Sequence, residues 1–390
     1  MGLKNDDIRI FVWDVDPIIG SFKLIGEISH FESLMWCQKV RDFGEFNLVL
    51  PLSDKNLLFI TNGKIISISG KSSAMLIDVV NFENKNGVKK ASISGRSIDA
   101  VFTWRILERT EIISGILGDN IQRIVDSTFT NSLDPAKRIR TINFISMPPY
   151  TDVITRFQRS AGTVYDLIMQ SSSINNLSFL YTYFSKDEIS GRLRFFEDAT
   201  ESSTTGNLLN IVLDTESGVV LSSIYNKNTQ NNVTYARIAG EGEGLDRVIV
   251  GIERNNPPST NWNKREIYVD ARDLQRKIID ASGNEITIGI AEYRDMLSAR
   301  GYEKLAERVI IEKFDFELNL LDNRMINFVD DIHLYLGAFI TVYDNIFGIK
   351  ANVQITEFKE FWDNKGHKLS LIFGPPDLTI QSELKSLRRF

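Results

Sequence analysis

The sequence predicts a mainly β protein with α/β insertions, the α+β class. Apolar and polar residues alternate in strand-like runs through much of the first hundred residues, and strand-like runs return from 314 to 373. Between these stretches, apolar residues recur at helical spacing. At 390 residues, the chain is long enough for two to four domains.

The N-terminal strands are predicted at 46–52, 64–69, 74–83 and 89–94. Asn86-Gly87 stands between the last two, and this dipeptide favours a two-residue hairpin turn. The sequence therefore predicts a β-hairpin centred on this pair.

Three helices are predicted in the middle of the chain. The second begins at Thr163, with Asp166 as its capping partner, and the third covers 292–309. Strand candidates at 177–184 and 193–196 make this region α/β, and Pro148-Pro149 separates the first two helices. The first helix has an apolar stripe formed by Leu117, Ile121, Ile124 and Val125.

A possible internal repeat compares the hairpin at 79–87 with residues 358–366. When Gly87 is aligned with Gly366, apolar positions agree before the turn but not after it. A slip of one residue exchanges the two faces of a strand. A duplicated barrel and a chance likeness between two hairpins both fit this pattern.

The most informative segment is acidic and rich in glycine: Gly240, Gly242 and Gly244 alternate with Glu241 and Glu243. A phosphate-binding loop joins a strand to a helix, whereas a second strand follows here and the two glutamates repel phosphate. We interpret the segment as a strand–loop–strand turn whose glycines adopt positive φ.

Composition narrows the class of protein. The net charge of −6 argues against wrapping nucleic acid, and the single cysteine, Cys37, excludes an intrachain disulfide framework. The polar N-terminus is unlike a signal peptide, and the chain has no apolar run long enough to span a membrane, so we expect synthesis in the cytoplasm.

We expect no metal, cofactor or catalytic site. The three histidines (His30, His333 and His367) are isolated from one another, and Asp42-Phe43-Gly44 lacks the other kinase motifs. Paired carboxylates are the one route to a glycosidase: Glu241 with Glu243, Asp187 with Glu188, and Asp330 with Asp331.

Asp270, Arg272 and Asp273 form a charged run after the glycine-rich turn. On a strand, Asp270 and Arg272 point the same way and Asp273 points to the other face. We expect these residues to lie at a domain or subunit boundary, with Arg247 and Arg272 bridging to carboxylates. A solvated strand end is the alternative.

Several motifs together resemble one family. They are Gly-Glu-Phe-Asn-Leu-Val-Leu-Pro-Leu at 44–52, Ser-Gly-Arg at 94–96, Trp-Arg at 104–105, the glycine-rich turn at 240–247, Val-Asp-Ala-Arg-Asp-Leu at 269–274, Ile-Thr-Glu-Phe at 355–358 and Phe-Gly at 373–374. From about 40 to 374, the chain resembles the tail hub, or baseplate hub-like, proteins of long-tailed bacteriophages. One departure is Ala338, where the family pattern has aspartate after Leu-Gly.

The resemblance implies two β-barrel-like domains. The N-terminal barrel would cover 1–100 and be completed by 205–235, and the C-terminal barrel would cover 321–390 and be completed by 236–252. Between them lie an α/β domain at 101–204 and a second α/β element at 236–320 that holds the acidic turn and a helix.

The resemblance also implies a function in the virion, at the tail tip or baseplate. A homotrimeric ring with two barrels per subunit would present six similar faces to a hexameric distal tail protein and gate the channel for DNA. Further partners would be the tape-measure protein and receptor-binding or tip proteins, with DNA passing through unbound. The chain ends soon after the last predicted strand, so we expect any enzymatic extension on another chain.

Two alternatives come from other classes. One is a tail-associated enzyme that degrades cell-wall glycans through the paired carboxylates. The other is a monomeric carbohydrate-binding module that stacks sugars on an exposed Trp262 and Trp362.

Overall fold

The structure is a computed structural model of the chain. It describes residues 8–15, 22–40, 42–52, 58–69, 71, 73–139, 142–146, 154–175, 177–178, 194–197, 200–201, 208–216, 218–254, 261–279, 285–318, 336–345 and 348–373. The protein is mostly β, with several sheets, as the sequence predicts. No helix in these ranges is long and apolar enough to cross a membrane.

Among the described residues, the largest sheet contains thirteen strands, which come from both ends of the chain. From the N-terminal end come β1 (Ile10–Val15), β2 (Phe22–Ile28), β3 (Ser33–Lys39), β4 (Glu45–Pro51), β5 (Ile65–Ile68), β6 (Ala74–Lys85) and β7 (Val88–Ser97). From the C-terminal part come β14 (Leu208–Asp214), β15 (Val220–Asn228), β21 (Ile311–Leu318), β22 (Phe339–Asp344), β23 (Ile349–Asp363) and β24 (Gly366–Phe373).

Two groups of four antiparallel strands lie side by side in this sheet. The strand order is β15-β21-β24-β23-β3-β4-β7-β6-β5-β1-β2, with β14 and β22 off this path. We call β3, β4, β7 and β6 the N-terminal quartet, and β15, β21, β24 and β23 the C-terminal quartet. Strand β23 joins them, because it pairs with β24 on one edge and with β3 on the other.

The quartets repeat the same register. In the N-terminal hairpin Lys85 pairs with Val88, and in the C-terminal hairpin Asp363 pairs with Gly366. Val88 is therefore the equivalent of Gly366. The alignment of Gly87 with Gly366 is off by one residue. A register shift follows Ile77 in one hairpin and Ile355 in the other, and the corrected alignment makes these two positions equivalent as well.

The corrected alignment removes the mismatch after the turn. Buried Leu369 and Leu371 now correspond to buried Ala91 and Ile93, so each hairpin presents the same face to its core. Positive φ at Asn86 (53°) and Gly87 (81°) confirms the predicted turn in the first hairpin.

The entry into each hairpin is repeated too. Gly63 has φ 81° and donates its N–H to the carbonyl of Ile77 at 2.9 Å. Gly337 has φ 86° and donates to the carbonyl of Ile355 at 2.8 Å. Both positions need a left-handed backbone, which glycine adopts without strain. Ala338 is fully buried beside the second of these glycines.

Each quartet has a hydrophobic core, and each core receives one side chain from the other quartet. Trp362, on β23, is buried in the N-terminal core with Trp36 and Leu34. Val40, just after β3, is buried in the C-terminal core with Phe316 and Leu371. Burial of an indole of this size contributes a few kcal/mol of stability, so the two quartets are coupled energetically.

The pairing of two segments differs from the expected completion of the barrels. Strands β14 and β15, from the segment 205–235, pair with β22 and β21 of the C-terminal part, not with N-terminal strands. The segment 236–252 forms its own small sheet. Among the described residues, the strand order stays open, with no pair that closes it into a barrel. Alternation within a strand predicts a face but not a partner, and so could not choose between these pairings.

The described residues of the region 101–204 form α1 (Leu117–Val125), α2 (Val164–Asn175) and six short strands. The predicted apolar stripe of α1 is buried. The predicted start of α2 is confirmed, because Thr163 and Asp166 exchange hydrogen bonds at 2.8 and 3.2 Å in a capping box. The strands are β8 (Glu111–Ile116), β9 (Asn143–Ser146), β10 (Ile154–Arg159), β11 (Leu177–Ser178), β12 (Arg194–Glu197) and β13 (Thr200–Glu201).

The helices pack on the N-terminal strands through one core that contains Ile65, Leu76, Ile121 and Leu167. Pro148-Pro149 and most of the predicted strand at 177–184 lie outside the described residues.

The second α/β element is a small mixed sheet covered by one helix. Strand β16 (Tyr235–Ala239) lies between antiparallel β17 (Ile249–Glu253) and parallel β18 (Glu266–Asp270). A hairpin of β19 (Lys277–Ile279) and β20 (Glu285–Thr287) leads into α3 (Ile290–Ala306), the third predicted helix. Tyr293, Met296 and Leu297 of α3 are buried against this sheet.

Candidate functional site

The acidic glycine-rich segment is a strand–turn–strand connection, as predicted. It joins β16 to antiparallel β17 through a short 3-10 turn at Gly244–Asp246. Gly242 (φ 106°) and Gly244 (φ 55°) have the positive φ that we expected of the glycines.

Gly240 is required for a different reason. A Cβ atom there would lie 2.5 Å from the hydroxyl of Tyr293 and 3.0 Å from a methyl group of Leu297 on α3. The Tyr293 hydroxyl is held in place, since it accepts from the N–H of Glu241 and donates to the carbonyl of Leu274, both at 2.7 Å. Burial raises the pKa of Tyr293, which keeps this hydroxyl protonated. The turn therefore packs directly on the helix.

Arg247 holds the end of the small sheet together. Its guanidinium donates to the carbonyls of Gly240 and Ala239 at 3.0 Å each, to the hydroxyl of Tyr268 at 2.9 Å, and to Asp270 at 2.8 Å. These acceptors belong to β16, to β18 and to the turn. The side chain is only 18% exposed, so its contacts are shielded from solvent more than those of a surface ion pair.

Asp270 ends β18 and binds two arginines. Besides Arg247, it accepts from the guanidinium of Arg272 at 2.6 Å, and this hydrogen bond is the main reason that the pKa of Asp270 is lowered. Arg272 and Asp273 lie in the turn after β18. The expectation that they alternate across a strand is therefore wrong, because the strand ends at Asp270.

Asp273 begins a chain of polar contacts that leaves the small sheet. It accepts from Arg300 of α3 at 2.9 Å, and Arg300 also pairs with Glu303 at 3.3 Å, three residues on along the helix. Glu303 in turn accepts from Gln170 of α2 at 2.9 Å. Burial raises the pKa of Glu303 although Arg300 opposes this shift.

This chain of contacts links the second α/β element to the region 101–204. Ser160, just after β10, adds a hydrogen bond to the carbonyl of Asp273 at 3.2 Å, and Arg156 pairs with Glu292. Arg300, Glu303 and Gln170 were not predicted as site residues. The spacing of Arg300 and Glu303 on a helix was the available signal, and it did not reveal the partner on α2.

The carboxylates considered for glycoside hydrolysis do not face each other across a described cleft. Glu241 and Glu243 are exposed on the turn, and Glu241 accepts the N–H of Arg276 at 2.8 Å. A shallow surface depression lies elsewhere, on α1, and no aromatic side chain lines it. The pairs Asp187 with Glu188 and Asp330 with Asp331 lie outside the described residues.

The histidines are dispersed. His30 is exposed, and His367 stacks on Trp362 with ring centroids 4.6 Å apart while pairing with Glu360 at 3.2 Å. His333 lies outside the described ranges, and within those ranges no group of histidine, cysteine and carboxylate side chains is arranged to hold a metal ion.

The two tryptophans proposed for sugar stacking have opposite environments. Trp262 is 92% exposed, as that hypothesis requires, but Trp362 is 1% exposed. The expectation that Trp362 is on the surface is wrong, because β23 pairs with β3 and this indole is buried in the N-terminal core.

The class of protein follows from the fold together with the family profile that the sequence matches. Residues 9–375 match the family described as Siphovirus ReqiPepy6 Gp37-like protein, and the chain belongs to this family of phage tail proteins. No curated protein matches the sequence.

Solved structures share the fold. A tail protein from Neisseria meningitidis has a TM-score of 0.56 at 12% identity, with 96% of this chain and 98% of that one covered. The 43 kDa tail protein of prophage MuSo2 from Shewanella oneidensis has a TM-score of 0.56 at 11% identity, covering 94% and 98%. Prophage tail protein gp18 from Listeria monocytogenes has a TM-score of 0.52 at 11% identity, covering 98% of each chain.

Proposed function

We propose that this phage tail protein is the tail-tip hub: a homotrimeric ring that joins the sixfold tail tube to a threefold tip. In this proposal the two quartets are the central parts of two barrel-like domains, and residues 101–204 and 236–320 are insertions on their periphery. The role is structural, and the site built around Arg247 fixes the second insertion within the subunit.

The observation that carries the proposal is the repeat of the two quartets. They share hairpin register, bulge position and glycine entry, and they lie side by side in one sheet. Three copies of such a chain would contain six similar modules. A closed ring with this content has approximate sixfold symmetry, and so matches a hexameric ring above it.

The partners follow from this position. The upper face of the ring would bind a hexameric distal tail protein, and the tape-measure protein would end at the central channel. Receptor-binding or tip proteins would bind below, and their engagement would open the channel for genome ejection. The net charge of −6 supports a channel that passes DNA without binding its phosphates.

The mass of the purified chain in solution, followed by imaging of the particles, tests this proposal. We expect three subunits in a ring with a central hole and six similar densities around it. A chain that stays monomeric at high micromolar concentration contradicts the proposal. A cleared band in zymography on host cell walls would instead support a glycan-degrading enzyme.

A further inference from the structure

The N-terminal strands are connected by two turns that contain the same dipeptide, Asn-Gly. Asn62-Gly63 precedes β5, and Asn86-Gly87 joins β6 to β7. In each case the pair forms the two central residues of a β-turn. All four residues are exposed, and both glycines have φ 81°. The two pairs are therefore alike in sequence, in exposure and in the backbone of the glycine.

Asn-Gly is the dipeptide in which asparagine most readily loses its side-chain amide. The backbone nitrogen of glycine attacks the side-chain carbonyl carbon, and glycine permits the approach because its backbone is unrestricted. A C–N bond forms, the bond to the side-chain nitrogen breaks, and ammonia leaves with the proton of the glycine N–H. Water then opens the cyclic imide at either carbonyl, so the products are aspartate and isoaspartate. Water is the only other reactant.

Both reacting groups of Asn62-Gly63 are held by β6. The nitrogen of Gly63, which would attack, donates its N–H to the carbonyl of Ile77 at 2.9 Å. The side-chain amide of Asn62, which would leave, donates to the carbonyl of Asp78. Reaction at Asn62 therefore requires both bonds to break, and with them the attachment of this turn to the largest sheet.

The reacting groups of Asn86-Gly87 are not held in this way. Among the described residues, no hydrogen bond is formed by the N–H of Gly87 or by the side chain of Asn86. The turn is the tip of the hairpin, and residues 81–89 are all exposed. Local opening at such a tip disturbs no buried contact and costs little free energy.

We propose that Asn86 is a site of spontaneous deamidation in this protein, and that the fold protects Asn62 in the same dipeptide. The hydrogen bonds of the attacking nitrogen and of the leaving amide distinguish the two pairs, whereas exposure does not. The modification belongs to the folded subunit and is independent of the proposed trimer.

The reaction changes the tip of the hairpin in two ways. Aspartate at position 86 adds a negative charge close to Lys85 and Lys89, and aspartate before glycine remains compatible with the turn. Isoaspartate adds a methylene group to the backbone, so the turn no longer matches the pairing of Lys85 with Val88. We expect the isoaspartate form to fray at the tip.

Peptide mass spectrometry of the folded full-length chain, incubated at mildly alkaline pH, tests the proposal. Deamidation at Asn86 should be at least about tenfold faster than at Asn62, because two more hydrogen bonds must break before Asn62 reacts. The rate at Asn86 should rise with pH, since the attacking nitrogen must lose its proton. Enzymatic methylation of isoaspartate identifies the second product.

The chain unfolded in concentrated urea is the matched control. There the two dipeptides should react at similar rates, because the hydrogen bonds to Ile77 and Asp78 are lost. Asn86→Asp keeps a residue that suits the turn and should remove the main release of ammonia from the folded chain. Absence of reaction at Asn86 overturns the proposal. A folded chain in which Asn62 reacts as fast as Asn86 overturns it as well.

Hydrogen exchange tests the physical cause separately. The N–H of Gly63 should be protected by its bond to Ile77, whereas the N–H of Gly87 should exchange almost as fast as in an unfolded chain. Equal protection of the two glycine amides contradicts the explanation, whatever the rates of deamidation.

Discussion

Arg247 illustrates how one side chain fixes a loop at the residue scale. Its guanidinium has acceptors on β16, on β18 and in the connecting turn, so a single planar group with several N–H donors spans the open end of the sheet. Arg272 binds the same carboxylate of Asp270 but is 68% exposed. Solvent weakens the contacts of Arg272, whereas those of Arg247 also satisfy backbone carbonyls.

Replacing Arg247 by alanine should therefore cost about 1–3 kcal/mol of unfolding free energy. The variant leaves the carbonyl of Gly240 without this donor and removes one of two donors from the carbonyl of Ala239 and from Asp270, which keep the N–H of Ala271 and the guanidinium of Arg272. Urea unfolding measures the loss, and Arg272→Ala is the matched control, because it removes the other partner of Asp270. A loss from Arg272→Ala as large as that from Arg247→Ala would contradict the assignment.

Asp99 makes stability depend on pH. It is buried at the start of a 3-10 helix, and burial raises its pKa from 3.8 to about 7. Folding therefore favours its protonated form. This contribution is fully present below pH 3.8, declines as pH rises towards 7, and is absent above that.

Asp99→Asn should remove this pH dependence. Relative to the wild type, the variant should gain stability as the pH rises from 5 to 8, by up to about 3 kcal/mol, because about two units of the pKa shift lie in this interval. Unfolding by urea at the two pH values measures the difference. Identical pH profiles for the two proteins would show that Asp99 is already charged in the folded state.

At the scale of elements, local signals predicted where helices and turns begin. Asn86-Gly87 and the Thr163–Asp166 capping box act within a few residues, so they can be identified without knowing the rest of the fold. The same holds for the positive φ of Gly242 and Gly244. Gly240 differs, because its requirement comes from α3, which lies in a distant part of the sequence.

Gly240→Ala should destabilise the second α/β element by about 1–3 kcal/mol. The added methyl group meets the Tyr293 hydroxyl, and two hydrogen bonds prevent that group from moving aside. Hydrogen exchange should show faster opening of β16 and α3. Glu243→Ala, an exposed change in the same turn, should leave their protection unchanged; equal effects would contradict the packing explanation.

At the scale of the whole molecule, the two quartets are coupled by the exchange of Trp362 and Val40. Trp362 extends from the C-terminal hairpin into the N-terminal core, where it is 1% exposed. A substitution at this residue should therefore destabilise both quartets.

Trp362→Ala should cost about 3–5 kcal/mol, as expected for a buried indole. Hydrogen exchange should show lost protection both in β4 of the N-terminal quartet and in β21 of the C-terminal quartet. Trp262→Ala removes the same group from the surface and should change neither. Lost protection confined to β21 would mean that the quartets are not coupled.

The sequence by itself determined the class of the fold, the hairpins, the capped helices and the resemblance to phage tail proteins, because these depend on short-range patterns and on motifs. The sequence also indicated the repeat, but it aligned the two hairpins one residue out of register. The alignment matched Gly87 with Gly366, and these two glycines occupy different positions in their hairpins. Only the tertiary structure decided which strand edges meet, which tryptophan is buried, and how Arg300 and Glu303 connect Asp273 to α2. Those outcomes depend on contacts between distant segments, and alternation along a strand specifies a face without specifying the partner that covers it.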